Sequence, residues 1–322
     1  MNIYAIIILA TILVDFFLNI ISNYLNLKRL GTELPAEFEN IYDNEAYKRS
    51  QEYTMVTTKF DYVTGIFSLI LMLSFWFFGG FDRLDLFLRA YISDNILRGM
   101  TYIGILVMGR SLLMLPFSIW STFVIEEKFG FNKTTPKTFI IDLMKSFVLM
   151  IIIGGILLGG ILYLLETAGT LAWLYGWIAV TLFSFLLQFI APTLIMPLFN
   201  KFTPLEDGIL RDKIFEYANK VSYPLKALFV IDGSKRSTKT NAFFTGFGRN
   251  KRIALYDTLV KNHSVGELVS VLAHEIGHYK KKHILKSMIF GMINSGILFF
   301  LLSIFLNHRA LYDAFYMTEQ SI

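Results

Sequence analysis

Residues 62–81 read YVTGIFSLILMLSFWFFGGF, a stretch without a single charged side chain. An α-helix needs about 20 mostly apolar residues to cross the hydrocarbon core of a bilayer, and this stretch is long enough. The whole chain of 322 residues is 54% hydrophobic, with a mean hydropathy of +0.53. Such values are typical of membrane proteins.

Further windows along the chain are equally long and apolar. They lie at 3–22, 100–122, 146–165, 173–197 and 287–306. The first window is not expected to be a cleaved signal peptide, because it contains Asp15 and lacks both a basic start and a small-residue cleavage site. The predicted fold class is therefore mainly α, a multi-pass α-helical membrane protein with six spans in this chain.

The basic residues are distributed unevenly between the two sides of the membrane. With six spans, the loops 23–61, 123–145 and 198–286 share one side and hold 25 of the 30 Lys and Arg. The positive-inside rule places that side in the cytoplasm and the N-terminus outside. Basic loops beside anionic lipid also explain the pI of 9.1, so a nucleic-acid partner is not expected. The chain has no cysteine, which excludes disulfides and a cysteine nucleophile.

The predicted spans and loops divide the chain into three parts. Residues 1–197 hold spans one to five with their loops, residues 198–286 form a soluble domain, and residues 287–322 hold span six and a tail.

Within the soluble part, the pattern predicts a small α/β unit. Residues 206–221 have helical spacing, and the short apolar runs 228–231 and 253–256 predict strands. Glycine-containing turns are expected at 232–234 and 246–248.

The chemistry of the chain is indicated by His274-Glu275-Ile276-Gly277-His278. Residues four apart share one face of a helix, so both imidazoles can bind one zinc ion. Glu275 lies roughly 60° round the helix from His278, where it can deprotonate a zinc-bound water. This pattern predicts a zinc peptidase site; the alternative is an ordinary helix with two surface histidines.

The sequence around the motif supports a helix. Ser264 and Glu267 have the spacing of a capping box, and an apolar stripe follows at Val265, Leu268, Val269, Leu272 and Ile276. Glu267 shares the histidine face. The alternative to capping is therefore that Glu267 supports the predicted metal ligands by contacting them rather than the metal. His263 and His283 are alternative ligands, although solvated histidines at the helix ends explain them as well.

A substrate-binding strand is predicted just upstream. Asn241 and Ala242 precede the strand that leads to the zinc helix, and zinc peptidases of the thermolysin type pair an exposed edge strand with the substrate backbone. The alternative is a turn asparagine followed by aromatic packing.

Polar side chains within the predicted spans allow two interpretations. Asp15, Arg110, Gln188 and Asn294 lie in apolar windows, where polar groups are costly and usually face the interior of the helix bundle. They indicate either a water-filled chamber or structural pairing, and Asp15 with Arg110 would form a neutral pair if they meet.

Several longer motifs accompany the zinc motif. They are Glu126–Pro136, Pro197–Leu205, Asp232–Ser237, Thr240–Gly248 and Leu255–Leu259. In these motifs the chain resembles the type 1 CAAX prenyl proteases, which are integral-membrane zinc metallopeptidases of the gluzincin kind.

That resemblance implies a barrel of seven membrane helices round a large aqueous chamber, with one zinc ion facing inward. It implies endoproteolysis near the C-terminus of lipid-modified proteins, so the expected partners are a protein or peptide substrate, including lipid-modified ones, and the bilayer. His274 and His278 would be the zinc ligands, Glu275 the general base, and Asn241 and Ala242 the strand that holds the substrate backbone.

The chain departs from the family after the zinc helix. Gluzincins take a third zinc ligand from a later glutamate, followed in this family by an Ala-Asp pair. The only acidic residues after His278 are Asp313 and Glu319, in the tail, and a seventh span is missing. The expectation is a C-terminally truncated form of a longer protein, with a natural short form as the alternative.

The function predicted from these features is zinc-dependent membrane endopeptidase activity, in which zinc activates a water and a glutamate acts as the general base. The alternatives are a zinc protease for membrane-protein quality control, or a catalytically incomplete form that lacks the third zinc ligand and serves as a scaffold. A transporter with an incidental histidine motif leaves the soluble domain unexplained.

Overall fold

The computed structural model describes residues 1–31, 33–34, 36–38, 43–245 and 251–320. The chain forms two compact units: residues 1–129 with 302–322, and residues 130–301. The helices of the described residues are α1 (Ile3–Arg29), α2 (Asn44–Phe77), α3 (Gly80–Tyr91), α4 (Asn95–Glu126), α5 (Pro136–Thr167), α6 (Gly169–Phe199), α7 (Ile209–Lys220), α8 (Asp257–Asn262), α9 (Val265–Lys280), α10 (His283–Phe305) and α11 (Arg309–Ala314).

Six of these helices are long and apolar enough to cross a membrane: α1, α2, α4, α5, α6 and α10. This confirms the predicted multi-pass helical fold. Large apolar side chains along them point away from the protein, as Ile156 and Leu182 show with 67% and 64% of their surface exposed. Such exposure is stable in lipid, where apolar side chains need no protein core. The seven-helix barrel and its chamber stay predictions.

The predicted windows differ from the limits of all six helices, and most of all at the start of α2. Helix α2 ends at Phe77 rather than 81, because Gly79 has the left-handed backbone angle φ of +68° and breaks the helix. At its other end α2 extends back to Asn44, where the Asp43 side chain accepts the Ala46 amide at 2.9 Å. Helix α10 begins at His283 rather than 287. Apolar windows mark the lipid-facing part of a helix and miss its capped, polar ends.

In the first unit, the segment after α10 packs against the start of the chain. The indole nitrogen of the fully buried Trp76 donates to the carbonyl of Ala314 at 2.7 Å, and the side chain of Asn2 donates to the carbonyl of Ala310 at 2.5 Å. Asp15 and Arg110 are exposed, and no ion pair joins them in the described part of the chain.

The second unit contains the only sheet of the described residues, built from β1 (Phe202–Pro204), β2 (Leu225–Ile231), β3 (Ala242–Thr245) and β4 (Lys251–Tyr256) in the order β1-β2-β4-β3. The two central strands, β2 and β4, run parallel, and each edge strand pairs antiparallel to its neighbour. The strands predicted at 228–231 and 253–256 are therefore confirmed and form the centre of the sheet.

Helices α7 and α9 share one apolar core with the sheet. The buried residues of this core are Ile214, Ala218, Tyr223, Leu228, Ile253, Leu255, Leu259, Leu268, Leu272 and Ile276. The helix predicted at 206–221 is confirmed as α7. The turn predicted at 232–234 overlaps a 3₁₀ turn at Gly233–Lys235, whereas the turn predicted at 246–248 lies outside the described residues.

Candidate functional site

The helix that carries the histidine motif, α9, begins with the predicted capping box. The Glu267 carboxylate accepts the Ser264 amide at 2.7 Å and the Ser264 hydroxyl at 2.8 Å. These two hydrogen bonds, the amide bond first, lower the pKa of Glu267. The carboxylate is thus engaged at the start of the helix, which confirms capping and disfavours a role for Glu267 behind the histidines.

One face of α9 anchors the helix in the domain. Leu268, Leu272 and Ile276 are only 2%, 1% and 3% exposed. Burial of each such side chain stabilises the fold by about 1.5–3 kcal/mol, so this face fixes the orientation of the helix. His274 and His278 consequently lie on the exposed face.

The two histidines of the motif bring one nitrogen each to a common point. Their Nε2 atoms lie 3.0 Å apart, with ring centroids 4.7 Å apart and ring planes at 72°. Zinc binds an imidazole nitrogen at about 2.0–2.1 Å, so a single ion can contact both Nε2 atoms at this separation. The pair therefore suits a zinc ion.

Beside the histidine pair lies a cleft of about 670 Å³. Glu275 of the motif, His278 and Ala242 of β3 all line this cleft. The other lining residues are Gln188, Tyr223, Phe243, Phe244, Lys251, Tyr279, His283, Ile284, Ser287 and Met288. Asn241, which directly precedes β3, and His274 are not among the lining residues. The structure thus brings the predicted base, one predicted ligand and half of the predicted substrate strand into one cleft.

Strand β3 forms an edge of the sheet, as predicted for the substrate strand. The Tyr256 amide donates to the Asn241 carbonyl at 3.0 Å, so these two residues form a hydrogen-bonded pair. Hydrogen-bonded and non-bonded pairs alternate along an antiparallel ladder, so Ala242 and Phe244 direct their main-chain N–H and C=O groups away from β4. The outward Ala242 amide donates to Asn241 Oδ1 at 2.8 Å.

A third protein ligand is not found in the described part of the chain, where no group of three His, Asp or Glu side chains could hold a metal. His263 Nδ1 lies 3.1 Å from the Leu259 carbonyl. His283 contacts Nδ1 of His278, which is the ring nitrogen that faces away from the pair of Nε2 atoms. Neither of these histidines brings a nitrogen to the two Nε2 atoms of His274 and His278, and the role of alternative ligand is not supported for them.

The sequence reasoning missed several residues that line the cleft, among them Lys251, Tyr223 and Tyr279. Lys251 is only 9% exposed, and its Nζ lies 4.5 Å from the centre of the Tyr279 ring. Burial lowers the pKa of this lysine and raises the pKa of the neighbouring Tyr223. Lys251 is the first residue of β4, which was predicted from the apolar residues that follow it. No local sequence pattern distinguishes this lysine from one on the surface.

Three of the motifs that carry the resemblance, 126–136, 197–205 and 232–237, meet at Arg236. Its guanidinium binds both carboxylate oxygens of Asp142, at 2.7 and 2.9 Å, and donates to Asn200 Oδ1 at 2.9 Å. Its carbonyl accepts the Lys133 amide at 2.9 Å and the Thr134 hydroxyl at 3.1 Å. These contacts connect α5 and the loop before it, the end of α6 and the loop before β3.

Comparisons with known proteins extend these observations over the whole chain. A family model described as "CAAX prenyl protease N-terminal, five membrane helices" matches residues 23–201, and a model described as "Peptidase family M48" matches residues 204–321. The chain is 38% identical over 302 residues to "Probable CAAX prenyl protease 1" of Schizosaccharomyces pombe, and 37% identical over 295 residues to "CAAX prenyl protease 1" of Saccharomyces cerevisiae.

These alignments cover 89% and 88% of this chain but 64% and 65% of the two yeast proteins, so the chain spans about two thirds of the length of these relatives. The solved structure described as "Crystal Structure of S. mikatae Ste24p" matches with a TM-score of 0.92 and 36% identity, over 98% of this chain and 75% of that one. Both halves of the chain therefore match one family, and this integral membrane protein belongs to the type 1 CAAX prenyl proteases of peptidase family M48.

Proposed function

We propose that this chain is a zinc-dependent membrane endopeptidase, with His274 and His278 as zinc ligands and Glu275 as the catalytic base. One observation carries the proposal: Glu275, His278 and the free edge of β3 line the same cleft. Peptide hydrolysis needs a group that activates water and a surface that holds the peptide backbone beside it. This cleft offers both.

The imidazoles of His274 and His278 would hold one zinc ion per chain through their Nε2 atoms, which already lie 3.0 Å apart. Bound zinc would act as a Lewis acid, making water more acidic and polarising the scissile carbonyl. Catalytic zinc sites usually have three protein ligands, and the described residues supply two of them. Occupancy of the site by zinc is therefore the first quantity to measure.

Glu275 moves the proton in this mechanism. Its carboxylate is half-buried, lines the cleft and follows His274 directly on α9. In its ionised form it accepts a proton from the attacking water, and it then delivers that proton to the amine that leaves when the peptide bond breaks. The rigid attachment of α9 to the core keeps this carboxylate in place between the two events.

Strand β3 would hold the substrate in an extended form. An extended peptide can add to the free edge through the outward main-chain groups of Ala242 and Phe244. The Ala242 amide donates to Asn241 Oδ1, so substrate binding would redirect that amide to a substrate carbonyl and release Asn241 Oδ1 to accept a hydrogen bond from the substrate. Pairing of this kind depends on the backbone and tolerates many side chains.

The substrate class follows from the relatives, which are named CAAX prenyl proteases. We propose that the substrates are proteins or peptides cleaved near the C-terminus, including lipid-modified ones. A protease for membrane-protein quality control would use the same chemistry, but the names of these relatives favour the CAAX type.

The site is proposed to face the cytoplasm. Loops on the side of the zinc helix hold 25 of the 30 Lys and Arg residues, and such loops stay on the cytoplasmic side. With this orientation, residues 198–286 form the cytoplasmic peptidase domain between the membrane helices of residues 1–197 and the sixth span and tail of residues 287–322.

The test is Glu275→Gln, assayed with a farnesylated C-terminal peptide and its unmodified counterpart. Loss of a general base lowers turnover by about 10²- to 10⁴-fold, while zinc content is expected to stay unchanged. Glu267→Gln is the matched control, because Glu267 lies on the same helix and only caps it. Retained turnover in the Glu275→Gln variant would show that Glu275 is not the catalytic base.

Zinc content of His278→Ala tests the metal site separately. The unmodified chain is expected to hold about one zinc and the variant to lose it, because one imidazole alone is a weak ligand. Equal zinc in both proteins would show that His278 is not a ligand. Cleavage of the farnesylated peptide but not of the unmodified one would restrict the substrates to lipid-modified proteins.

A further inference from the structure

The second ring nitrogen of His278 is also engaged. While His278 Nε2 faces His274, its Nδ1 lies 2.8 Å from Nδ1 of His283. The His278 and His283 rings are 4.9 Å apart and stand at 74° to each other, which is an edge-on contact. His283 also lines the cleft that contains Glu275.

The backbone between α9 and α10 brings His283 to this position. Lys282 has a left-handed φ of +55°, and its amide donates to the Tyr279 carbonyl at 2.9 Å, which ends α9 in a tight turn. A non-glycine residue in the left-handed region costs about 1–2 kcal/mol, so this turn is stabilised by its surroundings. Helix α10 begins immediately after it, at His283.

The proton positions follow from what each nitrogen must do. A neutral imidazole has one N–H and one lone pair, and a nitrogen that binds zinc must use its lone pair. If Nε2 of His278 binds the metal, Nδ1 of His278 carries the proton and has to donate it. The atom within reach is Nδ1 of His283, which can accept that proton through its own lone pair when the His283 proton is on Nε2.

We propose that His283 is a positioning residue for the metal site: it accepts the Nδ1 proton of His278 and so holds the His278 ring and its tautomer ready to bind zinc. The inference rests on the proposed function, because it assumes that His278 is a ligand. Metal-binding histidines generally donate their other N–H to such an acceptor, most often a carboxylate or a carbonyl. Here another histidine supplies the lone pair.

The same contacts make the two ligands unequal. Both Nε2 atoms must use their lone pairs to hold one zinc ion. For His278, the contact of Nδ1 with His283 favours the tautomer with that lone pair, whereas no described residue makes a corresponding contact with Nδ1 of His274. Metal affinity is consequently expected to depend on His283 through His278.

The test measures zinc affinity of the purified full chain in detergent, by competition with a chromophoric zinc chelator. His283→Leu removes the acceptor at similar size, and loss of such an acceptor weakens metal affinity by about 10- to 100-fold. His283→Asn places a carbonyl oxygen near the position of Nδ1 and should restore affinity to within a few-fold of the unmodified chain. His263→Ala is the control, because His263 Nδ1 lies at the Leu259 carbonyl and His263 does not line the cleft, so its loss should leave zinc affinity unchanged.

Three results would overturn the proposal, and they identify which step fails. Equal zinc affinity in the unmodified chain and His283→Leu would refute the role of His283 alone. A loss far above 100-fold without rescue by His283→Asn, with an altered absorption spectrum of the Co²⁺-substituted chain, would make His283 a metal ligand instead. Absence of zinc binding in the unmodified chain would refute both this proposal and the proposed function. Thermal unfolding of each variant checks that affinity is compared between folded proteins.

Discussion

The two edges of the sheet differ in what they present to an approaching peptide. On β1, hydrogen bonds from the Leu205 amide to the Leu228 carbonyl and from the Asp232 amide to the Lys201 carbonyl set the ladder. Phe202 and Pro204 are therefore the residues whose main chain faces outward on β1. Proline has no N–H, so β1 lacks one of the two outward donors that Ala242 and Phe244 provide on β3.

The difference shows that one edge is protected and the other is available. A short strand that ends in proline is a common way to block further strand pairing, and β1 has only three residues. Strand β3 carries no proline and lines the cleft beside Glu275 and His278. An edge left open on a folded protein invites aggregation, so its position at the candidate site indicates a use.

The largest expected effect comes from disturbing the inner side of β3. Phe243 pairs with Ala254, and the ladder pattern directs its N–H towards β4. Phe243→Pro removes that hydrogen bond within the sheet, and we expect it to cost about 3 kcal/mol or more. Thermal unfolding should show a loss of about 5 °C or more in melting temperature.

Phe243→Ala separates the backbone from the side chain in this experiment. It removes the ring that packs near Tyr256 but keeps the main-chain hydrogen bond. A proline variant that is no less stable than the alanine variant would show that Phe243 does not pair inward, and the assigned ladder would be wrong.

A smaller and more selective effect is expected one residue earlier. Ala242→Pro removes an outward N–H and leaves the ladder to β4 intact, so the melting temperature should change by only a few degrees. If substrate pairs with β3, loss of one main-chain hydrogen bond should lower kcat/KM about tenfold. Ala242→Ser keeps the N–H and serves as the control. Equal cleavage by the proline and serine variants would mean that the substrate does not use this edge.

The parts of the site that could be predicted from sequence are those set by local spacing. His274, Glu275 and His278 lie on one helix, and the capping box at Ser264 together with the apolar stripe defines both its start and its buried face. The β3 edge was indicated by likeness to thermolysin-type zinc peptidases, because no local pattern in the residues of β3 shows that this strand lies at the edge of the sheet. The membrane spans could also be predicted from sequence, because a helix that crosses a bilayer needs only sufficient length and low polarity.

The remaining features depend on contacts that no local pattern encodes. His283 could be read from sequence only as a histidine at a helix end, and its contact with His278 requires the left-handed turn at Lys282. Arg236 binds Asp142 across 94 positions of sequence, and Lys251 is buried by side chains from other elements. Which edge of the sheet is blocked depends on the ladder register, because Pro204 blocks an edge only if its main chain faces outward.

The smallest effect is expected on β1, at the opposite edge of the sheet. It tests whether an unpaired sheet edge is by itself sufficient to bind a peptide substrate. Pro204→Ala restores an outward N–H to β1, and we expect peptide cleavage to stay within about twofold because β1 does not line the cleft. Stability should fall by about 0.4–1 kcal/mol, since alanine gives the unfolded chain more freedom than proline.

The informative comparison is the double variant Pro204→Ala with Ala242→Pro. If an open edge anywhere on the sheet were sufficient, the double variant would regain cleavage relative to Ala242→Pro. If the edge must lie beside Glu275, as the geometry requires, the double variant will cleave no faster than Ala242→Pro alone.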